Sequence, residues 1–289
     1  MKKISIRLRN ALADMLSFGM RHYEYKPPEE LRDSIQEFWY TIIDFGEQPS
    51  DFEVLPDGYA EIVFLFGSAC SVSTPEGLQP LPSPFLMGLL GQPVILKAQG
   101  RLQVLGVRCF PWTVFDLLGL PAGNESVRVF THPIAQLQPV LAALMAADRA
   151  DDALALLKQY FLEHKKHKAD PMLHKAGAAL NNANGTIPVS EVAEAAHATV
   201  RTLERKFKQA AGHTVKDVSG VMRFEQVRNR LWLTPAVNLA TLAAELGYTD
   251  QAHLSREFKR YSGTTPAAFA RKAKSGNSAV ANFVAFVQD

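Results

Sequence analysis

The chain has 289 residues, 47% apolar and 21% charged, with 31 Lys and Arg against 29 Asp and Glu. That apolar content excludes a disordered chain, and no apolar run reaches the roughly 18 residues of a membrane span. Two cysteines, Cys70 and Cys109, cannot build a disulfide framework and fit a reducing compartment.

Residues 1–20 read as a short amphipathic helix, because Arg7, Arg9 and Asp14 interrupt the apolar core a secretory signal needs. Up to about residue 130 the chain reads as β-rich. The turn signal Leu55-Pro56-Asp57-Gly58 precedes Tyr59–Phe66, whose last five residues are all apolar, as in a strand buried on both faces. Ser73–Pro84 is rich in Pro, Gly and Ser and reads as a loop. Phe85–Leu90, Val94–Ala98 and Leu102–Phe110 follow as short strands, a pattern of antiparallel barrels and sandwiches.

From Ile134 the texture is helical. Leu137, Val140, Leu141 and Leu144 form one face, and Leu154, Leu157 and Phe161 another. The charged run His164–Lys168 and Asp170-Pro171 break the pattern and mark a domain boundary. The expected division is 1–168, 169–274 and a tail, 275–289. The tail carries Val280, Phe283, Val284 and Val287 on one helical face.

The segment after the boundary repeats itself. Ser190–Thr214 aligns without a gap on Thr241–Thr265, a shift of 51 residues with 8 identical pairs. These include Ala193/Ala244, Leu203/Leu254, Arg205/Arg256, Phe207/Phe258 and Gly212/Gly263. Each copy has the grammar of a helix-turn-helix. A small residue, Ala193 or Ala244, is expected where the helices approach closely. Gly247 suits a left-handed turn, with Ala196 at that place in the first copy, and Gly212 or Gly263 ends the second helix. Leu203 and Phe207, or Leu254 and Phe258, face inward. Outward lie Arg201, Glu204, Arg205 and Lys208, or Gln251, Ser255, Arg256 and Lys259. Such side chains suit major-groove reading, Arg to guanine and Gln to adenine, with Lys on phosphates. The apolar stripe of Val215–Leu233 predicts one long helix joining the motifs. Two recognition helices reach successive major grooves only if held about 34 Å apart.

The run Leu242–Arg271, with its Gly-aromatic turn, Phe-Lys pair and Gly-x-x-Pro ending before Phe269, resembles the AraC/XylS family of bacterial transcription regulators. The resemblance covers about 100 residues. It implies two helix-turn-helix subdomains joined by a central helix. Base-facing positions would be Arg201, Glu204 and Arg205, then Gln251, Ala252, Ser255 and Arg256. The first copy departs from the family with Val215 in place of the usual Pro and Val218 in place of an aromatic. Phe38-Trp39 and the strand after Gly58 look like a sensor domain found on some of these regulators, often a small β-barrel.

The expected fold class is therefore α+β: a β-rich, barrel-like sensor domain, then an all-α double helix-turn-helix domain. Trp39, Tyr59, Glu61 and Trp112 are the candidate effector-binding residues. The expected partners are double-stranded DNA, a small-molecule effector, RNA polymerase for an activator, and a second copy of the chain. The expected setting is the bacterial cytoplasm. No cofactor or metal is expected, since Thr41–Asn124 contains no His. No phosphate-binding Gly-rich loop or nucleophile elbow suggests an enzyme. The alternative is a DNA-targeted enzyme or thiol-based sensor using Cys109. Divided at the linker, residues 170–274 carry a net charge of +6 and residues 1–169 one of −3, so the bland total conceals a basic segment.

Overall fold

Ten strands occupy the first half of the molecule in the computed structural model, which describes residues 20–164 and 170–274. They are β1 (Arg21–Tyr25), β2 (Ile35–Asp44), β3 (Ser50–Val54), β4 (Ala60–Gly67) and β5 (Cys70–Thr74), then β6 (Gly77–Pro80), β7 (Phe85–Met87), β8 (Val94–Ala98), β9 (Arg101–Cys109) and β10 (Val127–Val129). The N-terminal helix and the tail expected from the sequence lie outside the described residues, as does most of the charged run at 164–168.

The strands form two antiparallel sheets, β1-β2-β9-β4-β7-β10 and β3-β8-β5-β6. The sheets face each other across one apolar cluster containing Trp39, Phe52, Phe85, Val94 and Val104. The barrel-like arrangement is thus an open pair of sheets. Helices α1 (Val114–Leu118), α2 (Gln138–Ala146) and α3 (Ala150–His164) contribute to a second cluster on the outer face of the larger sheet. There Leu141, Leu154, Leu157 and Phe161 pack with Phe38, Phe64 and Leu105. This double covering explains why β4 and β9 are apolar on both faces.

The stretch read as a loop at Ser73–Pro84 instead contains most of a hairpin. β5 pairs with β6 through Ser71↔Pro80 to Thr74↔Gly77. All four β6 residues are exposed, so backbone pairing alone holds the strand and no apolar pattern announces it. Strands β1, β2, β3 and β10 also escape the sequence reading. On the larger sheet, Trp39 sits opposite Gly106, and a side chain at Gly106 would collide with the indole. A register shift between Ile35 and Glu37 sets Glu37 opposite Arg108.

The second half is helical: α4 (Pro171–Asn182), α5 (Val189–Ala195), α6 (Val200–Ala211), α7 (Val215–Leu233), α8 (Leu239–Glu245), α9 (Gln251–Ser262) and α10 (Pro266–Lys274). The single helix expected over Val215–Leu233 is α7. The core of this half continues into the first half, because Leu55, Leu89, Phe110 and Trp112 cluster with Leu203, Phe207 and Val218.

Candidate nucleic-acid interface

Each helical pair is built by local signals. Thr199 accepts the backbone N–H of Thr202 at 3.2 Å and starts α6, and Asp250 accepts that of His253 at 2.6 Å and starts α9. Gly212 (φ +73°) and Gly263 (φ +69°) end them in the left-handed conformation. Leu203 and Phe207, and Leu254 and Phe258, are buried as the pattern requires.

The two copies are not related by one constant shift. α5 and α8 correspond at 50 residues, α6 and α9 at 51. Ala198 N–H bonds the Ala193 carbonyl as Tyr248 N–H bonds that of Ala243. The buried small residue of the second copy is accordingly Ala243, whereas Ala244 is exposed. His197 (φ +51°), not Ala196, takes the left-handed place of Gly247. The second turn is one residue longer, and a gapless alignment hides this because Ala193-Glu194 and Ala244-Glu245 match by composition alone.

Arg201, Arg205 and Lys208 are exposed on α6, and Gln251, Ala252, Arg256 and Lys259 on α9. At about 100° per residue, 201, 205 and 208 share one arc opposite the buried face, and 252, 256 and 259 repeat it. Lys208 also donates to the Gly212 carbonyl at 2.7 Å. Ser255 is half-buried at the arc's edge. Glu204, also half-buried there, accepts the backbone N–H of Val215 at 3.1 Å, so it caps α7.

α7 fixes the two motifs to one rod. Its start carries a capping box between Thr214 and Asp217. Arg223 donates to the Gly185 carbonyl at 3.2 Å and to Glu257 of α9 at 3.3 Å, and lies over the Tyr248 ring. At Gly220 a side chain would meet the Tyr261 hydroxyl at 2.6 Å.

The N-terminal half grips this assembly. Tyr59, Phe110, Trp112 and Phe207 form an aromatic chain with centroid separations of 6.1, 5.3 and 5.4 Å. Trp112 also lies on Gly177 of α4, where a Cβ would strike the indole. Gly212, the cap of α6, abuts the Gly123 carbonyl just as closely. Thus Trp112, one of the candidate effector residues, is a junction residue between the halves.

Tyr59 and Glu61 come together around Arg108, whereas Trp39 lies over Gly106 in the cluster between the sheets. The Arg108 guanidinium lies 5.5 Å from the Tyr59 ring centroid and donates to Glu61 at 2.8 Å. It also pairs with Glu37, and with Asp57 at 3.5 Å. The sequence reading missed Glu37, Asp57, Arg108, Glu225 and Arg228. Their signal is charge inside apolar patterns, Arg108 in a buried strand and Glu225 and Arg228 on the apolar stripe of α7.

Cys109 is fully covered, with its thiol near the Val107 carbonyl, and burial pushes it well above its ordinary pKa. Burial pushes Cys70 up to about 11. Neither has the lowered pKa of a reactive thiol. No helix among the described residues is long and apolar enough to cross a membrane.

Residues 192–272 match a family model described as a helix-turn-helix domain, and residues 23–126 match one described as a domain of unknown function. No curated protein matches the chain. Among solved structures, ToxT from Vibrio cholerae is similar over 81% of this chain and 98% of its own, at 10% identity and a TM-score of 0.45. A transcriptional regulator with an AraC-type DNA-binding domain from Chromobacterium violaceum covers 36% of this chain and 92% of its own, at 20% identity and 0.33. The C-terminal domain of AraT, a response regulator from Geobacillus stearothermophilus, covers 37% and 88%, at 22% identity and 0.34.

Proposed function

We propose that the helix-turn-helix segment of this chain is of the AraC/XylS type and that the protein is a sequence-specific transcription regulator controlled through its N-terminal half. The observation that carries this reading is the matched pair of exposed arcs. Arg201, Arg205 and Lys208 on α6 recur as Ala252, Arg256 and Lys259 on α9, both packed on α7. Arg205 and Arg256 occupy the same place in each arc and are the principal base readers. Lys208 and Lys259 neutralise phosphates, and Gln251 and Ala252 read edges at the start of α9. The two helices enter successive major grooves of double-stranded DNA.

The division at residue 169 separates the reading domain from the controlling one. The aromatic chain ending at Phe207 supports control, since a change around Tyr59 bears on the core of the first motif. The signal is a small molecule, with Trp39, Tyr59 and Glu61 nearest to it. A second copy of the chain is a partner of the active form, which works on cytoplasmic DNA, and RNA polymerase is a further one where it acts as an activator.

The test is selection of bound sequences from a genomic fragment pool, followed by titration at several salt concentrations. A selected site whose affinity falls with salt is expected. Salt-insensitive binding, or no enriched sequence, rejects the reading. A thermal-shift screen of metabolites on the full chain tests the small-molecule part.

A further inference from the structure

The turn between β3 and β4 reaches across to α7. The Pro56 carbonyl accepts Arg228 Nη1 at 3.1 Å. Gly58 (φ +80°) lies so close that a Cβ there would sit 3.3 Å from Met222 and 3.9 Å from Glu225. Arg228 also pairs with Glu225 at 3.3 Å, and both are almost wholly buried. Behind the turn stands Arg108 with Glu37, Asp57 and Glu61. The junction therefore encloses four carboxylates and two guanidiniums, drawn from β2, the turn, β4, β9 and α7. Fully ionised, it holds two negative charges in excess. Glu37, Asp57 and Glu61 keep only a 13–17% edge to solvent and Glu225 almost none, so the excess is poorly screened while the halves are closed, and unbalanced charge in such surroundings is unfavourable.

We propose that this junction is a proton-linked latch: proton uptake by its carboxylates closes the N-terminal half onto α7, and proton loss releases it.

Glu225 is faced by Arg228 from its own helix, Asp57 from the turn, Arg108 from β9 and the Tyr59 phenol. Glu37 is faced by Arg108, Glu24, Glu61 and Asp57. Burial pushes the Glu225 carboxyl up to about 8 against the pull of Arg228, with Asp57 adding to the rise. Burial likewise lifts Glu37 to about 7 despite Arg108. On an opened, hydrated α7, Glu225 returns to the ordinary carboxylate range near 4.3. The closed form thus binds protons that the open form does not. Its stabilisation is complete below the open-state pKa and is lost as pH rises through about 7 to 8.

The experiment uses the full chain carrying Trp232→Phe, which leaves Trp112 at the junction and Trp39 buried between the sheets, so that a change in quenching on opening comes from Trp112. Acrylamide quenching and the radius of gyration are followed from pH 6 to 9, without DNA, so the outcome is independent of the DNA-binding reading. Quenching is expected to rise several-fold, with an increase in radius, across pH 7 to 8.5. Glu225→Gln, neutral at every pH, removes the largest proton uptake and is expected to open less than the parent and at higher pH. Asp57→Asn, which keeps the cap on Tyr59 N–H, removes one excess charge and is expected to open at higher pH. A parent chain that is flat over this range overturns the proposal. So does opening of the Asp57→Asn variant at the parent's pH, or a folded Glu225→Gln variant that opens as the parent does.

Discussion

The Trp112 indole packs 5.4 Å from the Phe207 ring, centroid to centroid, so a side chain just beyond β9 in one half completes the core of a helix-turn-helix in the other. The contact joins two segments 95 positions apart and gives the recognition helix α6 a floor that its own motif does not supply.

Trp112→Ala should therefore destabilise the protein by about 3–5 kcal/mol, as for other large aromatics removed from a core. Denaturant unfolding measures this. A cost well under 1 kcal/mol would mean that the junction does not persist in solution.

The glycine caps of the two recognition helices should respond unequally. Gly212→Ala and Gly263→Ala both place a Cβ in left-handed backbone, at about 1–2 kcal/mol. At Gly263 nothing lies within 4 Å of that Cβ, whereas at Gly212 it collides with the Gly123 carbonyl. Gly212→Ala should be the more costly in thermal unfolding, and equal costs would contradict the docking of the 119–125 loop.

Arg205→Ala and Arg256→Ala should each weaken binding to a selected DNA site by about 1–3 kcal/mol and relax preference at one base position. Lys259→Ala should weaken binding to all sequences alike and reduce its salt slope. Anisotropy titrations on matched and mismatched sites separate the two behaviours.

Glu204 should act on stability rather than on base preference. Val215 opens α7 with an N–H that needs an acceptor, and Glu204 provides it. In the second copy the corresponding residues are Ser255 and Pro266, and proline has no N–H to cap. Glu204→Ala should cost about 1 kcal/mol, in the range of a lost cap. The cost should vanish in a Val215→Pro background, a double-mutant cycle that a base-reading Glu204 would not produce.

Acid should loosen the start of α7. Burial opposes ionisation of Asp217, yet its bonds with the Thr214 hydroxyl and backbone N–H hold its carboxyl below the usual range. A depressed folded pKa contributes stability above the unfolded value, about 3.9, and loses it as pH falls through the folded one. Asp217→Asn should flatten the fall in stability below about pH 4, as read by circular dichroism melts.

Much of the helical half was legible in the sequence because its signals are local. Capping residues, a 3.6-residue apolar period and a closing glycine act within one turn, so α6, α7 and α9 follow from neighbouring residues. The exposed arcs follow too, since burying Leu203 and Phe207 sends Arg201, Arg205 and Lys208 outward. The turn of the first motif was not legible: the gapless repeat set Ala196 opposite Gly247, and only backbone hydrogen bonds show that the left-handed residue is His197. Nor was the exposed strand β6, which pairs through its backbone alone. Above all, sequence could identify Trp112, Tyr59 and Glu61 as unusual without showing what they meet. Arg108 and Glu225 lie 117 positions apart, and Pro56 lies 172 from Arg228. Whether a charged residue in an apolar stripe faces a ligand, solvent or an opposing charge depends on which distant surface covers it. Only the packing of the turn at Pro56–Gly58 against α7 decided that.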